Sequence, residues 1–121
     1  MSTQYTTKYA LIGLVISQER EQQGHDQKTF AKISGISQPT LSRIERGETV
    51  IDVEQLDKAA HALGLEVQEL IDRANQFVEQ MPEWGVEVVD RDTLKKNTGS
   101  SGGALLGAAL AGFLIGMLLK K

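Results

Sequence analysis

The chain is predicted to be all-α: five helices form a small domain over residues 9–80, followed by a short strand, a flexible linker and a C-terminal apolar helix. Three observations carry this. Apolar residues recur at helical spacing in blocks separated by glycines and by Ser or Asp residues suited to capping. From Glu83 to Leu94 the texture changes, and Trp84, Val86 and Val88 alternate with Gly85, Glu87 and Val89, as in a strand. Finally, Gly103 to Leu119 contains no charge or amide side chain, and Lys95-Lys96 and Lys120-Lys121 bracket it.

Residues 1–8 form a polar arm. The first helix is expected from about Tyr9 to Gln23, with Ile12, Val15 and Ile16 facing inward and Gly24 as its stop. The most informative stretch follows, Asp26 to Gly47, which reads as two short helices around a tight turn. Asp26 can accept from the free N–H groups at the start of the second helix. Phe30, Ala31 and Ile33 give that helix a buried side. Gly35 supplies the left-handed backbone position that ends it, and Ile36 plugs the turn into the core. Ser37 can cap the third helix, and Pro39 sits in its first turn, where a missing N–H does no harm. Leu41 and Ile44 hold that helix down, which leaves Gln38, Pro39, Ser42 and Arg43 on its free face. A fourth helix starts at Asp52, reinforced by Gln55 three residues on. Val53, Leu56, Ala60 and Leu63 repeat along it, and Gly64 ends it. The fifth runs from about Val67 to Gln80, with Leu70, Ile71, Ala74, Phe77 and Val78 apolar, and Pro82 opposes its continuation.

The residues Gln27, Phe30-Ala31, Gly35-Ile36-Ser37-Gln38, Thr40-Leu41-Ser42-Arg43-Ile44-Glu45 and Gly47 resemble the helix-turn-helix of the Xre/Cro family of phage and bacterial regulators. The resemblance covers roughly residues 9–77; the alternative is an αα-hairpin in an unrelated helical domain. It implies a domain that binds double-stranded DNA, with the third helix in the major groove. It also implies roles for single residues. Gln27 would bind a backbone phosphate and brace Gln38, whose amide has the geometry for adenine N6/N7. Arg43 would read guanine or reach a phosphate, while Ser37, Thr40 and Ser42 are short donors. Lys28 lies beside them, and Arg46 matches a phosphate contact. Arg20 and Glu45 match a buried structural ion pair. There are departures: His25 stands where the family is usually apolar, Asp26 brings a charge near a phosphate, and Pro39 replaces a residue that often reads a base.

Charge tempers this reading. Residues 1–80 hold eight Lys/Arg against twelve Asp/Glu, a net of −4. However, Arg20, Lys28, Lys32, Arg43 and Arg46 gather in or beside the two-helix unit, which gives a local basic face on an acidic body and predicts weak non-specific affinity. The chain has no cysteine, which excludes disulfides and thiolate metal sites. His25 and His61 stand far apart without flanking ligands, so no metal or other cofactor is expected. No nucleophile–base pair or phosphate-cradling loop appears, and an enzyme is not expected. The chain start shows no signal peptide, so secretion is not expected either.

The C-terminal third is more open. The short strand, within residues 81–94, either pairs with its counterpart in a second copy, making a homodimer, or lies as an arm over the domain. Residues 95–102 read as linker. Across residues 103–119, Ala104, Ala108, Gly112 and Gly116 are spaced by four, and Gly103, Gly107 and Ala111 form a second such row. Leu105, Leu106, Leu110, Phe113 and Met117 cluster opposite. This resembles glycine-zipper membrane segments, in which small faces let helix backbones approach closely. Seventeen helical residues would span about 26 Å, short but tolerable for a bilayer. The competing reading is an apolar helix buried in a soluble homo-oligomer. The chain is thus expected to be a sequence-specific DNA-binding regulator in the cytoplasm, tethered to the inner membrane or oligomerised through its tail. A membrane-anchored scaffold that uses the helix-turn-helix for protein contacts, or a membrane-active effector with an autoregulatory DNA-binding domain, are the alternatives.

Overall fold

The computed structural model describes residues 3–98 and 104–119. It contains β1 (Gln4–Thr6), α1 (Lys8–Gln22), α2 (Gln27–Ser34), α3 (Gln38–Glu45), α4 (Val53–Leu63), α5 (Val67–Gln80), a 3-10 turn at Met81–Trp84, β2 (Val86–Val88), α6 (Arg91–Thr98) and α7 (Gly107–Leu119). The architecture is mostly helical, with a small two-stranded parallel sheet and a C-terminal helix.

The caps read from the sequence form as their chemistry dictates. The Asp26 carboxylate accepts from the Thr29 N–H at 2.7 Å, and Asp52 and Gln55 make a reciprocal capping box at 2.7 and 3.0 Å. Gly35 takes φ of 79° at the end of α2. Thr7, which the sequence reading left in the polar arm, caps α1 by accepting from the Ala10 N–H.

α1 is the hub. Residues 10–16 are all buried, because α3, α4, α5 and α7 all pack against it. Residue 13 had to be glycine: a Cβ there would lie 2.1 Å from the Ile44 carbonyl oxygen. Hence α1 and the end of α3 meet backbone to backbone. Two residues expected inside are not. Ile33 is 51% exposed, outside the Phe30–Ala31–Ser34 face of α2, and Val53 is 76% exposed at the first turn of α4.

The strand expected within residues 81–94 does find a partner in its own chain. β2 pairs in parallel with β1, with Gln4 opposite Val86 and Thr6 opposite Val88. The N-terminal arm is therefore a structural strand, since Thr6 and Thr7 are fully buried and the Val89 N–H donates to the Thr6 carbonyl. α6 forms over Arg91–Thr98, taking in residues 95–98 of the stretch expected as linker; residues 99–102 lie outside the described residues. Asp90 accepts from the Thr93 N–H, Leu94 and Thr98 are buried, and Lys95 and Lys96 occupy the last turn, where cations suit the negative end of the helix.

The tail departs most from expectation. Its helix has 13 residues, Gly107–Leu119, about 20 Å long, and the residues before it are tied to β1. Ala104 bridges to Tyr5, the Leu105 N–H donates to the Tyr5 carbonyl at 2.7 Å, and the Thr6 hydroxyl donates to the Leu105 carbonyl at 2.6 Å. Among the described residues, no helix is long and apolar enough to cross a membrane. Leu105, Leu110 and Leu114 are buried in the domain core. Of the small residues, Gly107 and Ala111 lie against the domain, whereas Ala108, Gly112 and Gly116 are exposed, and a Cβ at Gly112 or Gly116 would meet nothing within 4 Å. Leucine carries more apolar area than alanine or glycine, so docking on α1 within one chain selects the bulky side. Gly103 lies outside the described residues.

Gly13→Ala should therefore lower stability by about 3 kcal/mol or prevent folding, since the methyl group would displace the α3 backbone. Thermal unfolding of the variant beside the parent chain measures this; an unchanged midpoint would contradict the close α1–α3 contact.

Candidate nucleic-acid interface

The helix-turn-helix unit is built around a buried ion pair. Arg20, near the end of α1, donates from Nε to Glu45 Oε2 at 2.8 Å and from a terminal nitrogen to Oε1 at 2.9 Å. Its third donor reaches the His25 carbonyl at 2.7 Å. The two side chains are 9% and 6% exposed, so every donor needs the partner it has. The hydrogen bond to Glu45 outweighs desolvation and raises the guanidinium above its ordinary value, keeping it charged. The pair holds the end of α1, the turn before α2 and the end of α3 in one geometry. His25 fills its normally apolar place by packing its ring 6.4 Å from that of Phe30.

On this frame α3 turns Leu41 and Ile44 inward, leaving Gln38, Pro39 and Arg43 exposed and Thr40 and Ser42 half-buried. The Ser37 hydroxyl accepts from the Thr40 N–H and donates to the Thr40 hydroxyl at 2.9 Å, which orients both short polar groups at the tip of the helix. Lys28 and Lys32, one turn apart on α2, line an open groove with Ser37 and Gln38. Lys32 was not singled out as a contact from sequence, although its spacing of four from Lys28 is the signal that places them on one face.

Two of the expected contact residues are engaged by carboxylates of the chain itself. The Gln27 amide donates to Glu45 Oε1 at 2.9 Å and makes no hydrogen bond to Gln38. Arg46 caps α3 and is held by Glu48 at 2.5 and 3.3 Å and by the Ser42 hydroxyl at 2.8 Å. The Glu48 contact, made in the turn after α3, was not foreseen. Beside them, α7 forms one wall of a groove of about 500 Å³ whose other walls include Arg20, Gln27, Glu45 and Arg46. Among the described residues no cluster of His, Asp or Glu could hold a metal.

Two outcomes follow from this geometry. Glu45→Ala should cost about 3–5 kcal/mol, because it strands a buried guanidinium, whereas Arg20→Met with Glu45→Leu should recover most of that loss; chemical denaturation of the three chains is the measurement. Asp26 is held below the ordinary carboxylate range by the Thr29 backbone hydrogen bond. Its contribution is thus present above its unfolded value near 3.9 and is lost as pH falls through the lower folded value. The Tm advantage of the parent chain over Asp26→Ala should accordingly shrink below about pH 4 and hold at neutral pH.

The Helix-turn-helix family model matches residues 16–70. The HTH-type transcriptional regulator SlrR of Bacillus subtilis (strain 168) is 34% identical over 84 residues, which cover 65% of this chain and 55% of that protein. The chain thus spans about half the length of this curated relative. Two crystal structures of the clp gene regulator ClgR from Corynebacterium glutamicum are similar in fold. One has a TM-score of 0.59 at 27% identity, covering 64% of this chain and 81% of that one. The other has 0.52 at 30% identity, covering 57% and 87%. The segment from residue 16 to residue 70 is a helix-turn-helix domain of the Xre/Cro type.

Proposed function

We propose that the chain is a sequence-specific DNA-binding transcriptional regulator. The observation that carries this is the exposed edge of α3, where Gln38, Pro39 and Arg43 stand free beside Lys28 and Lys32 of α2. Buried Leu41, Ile44 and Glu45 set the roll of the helix. The same presentation suits the major groove, which admits a helix and offers bidentate partners to an amide or a guanidinium. In this reading Gln38 and Arg43 read base edges, while Ser37, Thr40 and Ser42 contact phosphates or bases. Lys28, Gln27 and Arg46 act on the phosphate backbone. Similarity to SlrR and to ClgR, both named as regulators, supports the reading. The local basic face is small, so two copies bound together would supply the affinity that one copy lacks. The outward face of α7, with Ile115, Leu118 and Leu119 at 56%, 52% and 81% exposed, supports a further contact of the tail with an apolar partner, a second copy or a membrane surface.

The test separates reader from anchor on the site selected from a randomised duplex pool. Gln38→Ala should cost about 1–3 kcal/mol there and relax discrimination at one base position. Arg46→Ala should weaken all sequences alike and reduce the salt slope by about one. Footprints should cover an inverted repeat with half-sites about one helical turn apart, or a multiple of it. Equal, sequence-independent effects of both substitutions would overturn the assignment, and a single asymmetric half-length footprint would overturn the dimer.

A further inference from the structure

The docked tail lies against the edge of the domain that carries Gln27 and Arg46. A Cβ on Gly107 would lie 3.2 Å from Arg46 Cα, and Ala108, Ala111, Gly112 and Ile115 wall the groove opposite Gln27. A phosphate entering that groove would leave water and meet methyl and methylene groups on one side, which is costly for an anion. On the other side the cations among its described lining residues are already paired. Arg20 is neutralised by Glu45 and lies 3.6 Å from Glu21, and Arg46 is paired with Glu48. The Gln27 amide is turned to Glu45 as well. The apolar wall is the feature α7 itself adds to this edge, and it stands over cations and an amide that already have partners within the domain.

We propose that α7 is an autoinhibitory helix, whose docking on α1 competes with DNA for the Gln27–Arg46 edge. The proposal rests on the DNA-binding reading above. The docked state is held by Leu110 and Leu114, both fully buried, and by the Thr6 and Tyr5 hydrogen bonds at the root of the tail. It is opposed by features of α7 itself. Its outward face leaves Ile115, Leu118 and Leu119 in water. Gly112 and Gly116 weaken the helix although no neighbour requires them, since a Cβ at either meets open space. A helix so built is poised between docked and released, and apparent DNA affinity is scaled by the released fraction.

Substitutions that push the equilibrium in opposite directions test this in the full chain, with a mixed-sequence duplex at low ionic strength as the probe. Gly112→Ala with Gly116→Ala adds helix propensity without a clash. It should favour the docked tail by about fourfold per glycine and weaken DNA binding to match. Leu114→Glu should release the tail and tighten binding several-fold, with circular dichroism checking that the domain remains folded. In the unaltered chain, amide hydrogen exchange across residues 107–119 should quicken when DNA is added, because DNA displaces the helix. Slower or unchanged exchange would mean that DNA binds beside a docked tail, and unchanged affinity in both variants would mean that docking does not matter; either result overturns the proposal. If no chain binds duplex better than one carrying Gln38→Ala and Arg43→Ala, the DNA-binding reading itself fails, and the proposal with it.

Discussion

The structure depends on the contact between α1 and the C-terminal end of α3. Gly13 lets the two backbones touch at Ile44, and one residue further on Glu45 receives the Arg20 fork. The two interactions need each other. Without close approach the ion pair would be wet and weak, and without the ion pair a buried carboxylate would stand against the backbone of α1. Together they set the roll of α3, and with it the side chains that reach outward. Gln27 joins the same carboxylate, so the first residue of α2 is held by the same group that fixes α3.

A second level of organisation comes from residues distant in sequence. β1 stands between β2 on one side and the Ala104–Leu105 segment on the other. Three short extended pieces, each too short to be stable alone, share one buried threonine pair at residues 6 and 7. This knot ties the N-terminal arm, the strand after α5 and the root of the tail to the start of α1. It directs α7 along α1 and toward Arg46. The tail is thereby part of the domain core rather than an appendage.

Charge and packing combine at the edge beside α7. The sequence places basic residues near the two-helix unit, and charge counting alone suggests an open cationic face. In the folded chain the cations divide. Lys28, Lys32 and Arg43 stay exposed, while Arg20 and Arg46 are matched by Glu45 and Glu48. The α2–α3 face is therefore the available basic surface, and the Arg46 edge is charge-paired and lies beside α7.

The five helices, the caps at Asp26, Ser37 and Asp52 and the turn at Gly35 were legible in the sequence, because each rests on local chemistry within a few residues. The Arg20–Glu45 pair was legible through family resemblance alone, since 25 residues separate the partners. The pairing of β1 with β2 was not, because a three-residue polar strand carries no pattern that distinguishes it from a frayed arm. Nor was α6, whose polar composition hides the single leucine that docks it. The sequence by itself determined that residues 103–119 are apolar with one small and one bulky side. Only the tertiary structure decided which side is buried. Both sides can pack, the small one by close backbone approach and the large one by apolar area. An open flank of α1, with the extended root hydrogen-bonded to β1, made the leucine side the one that this chain buries.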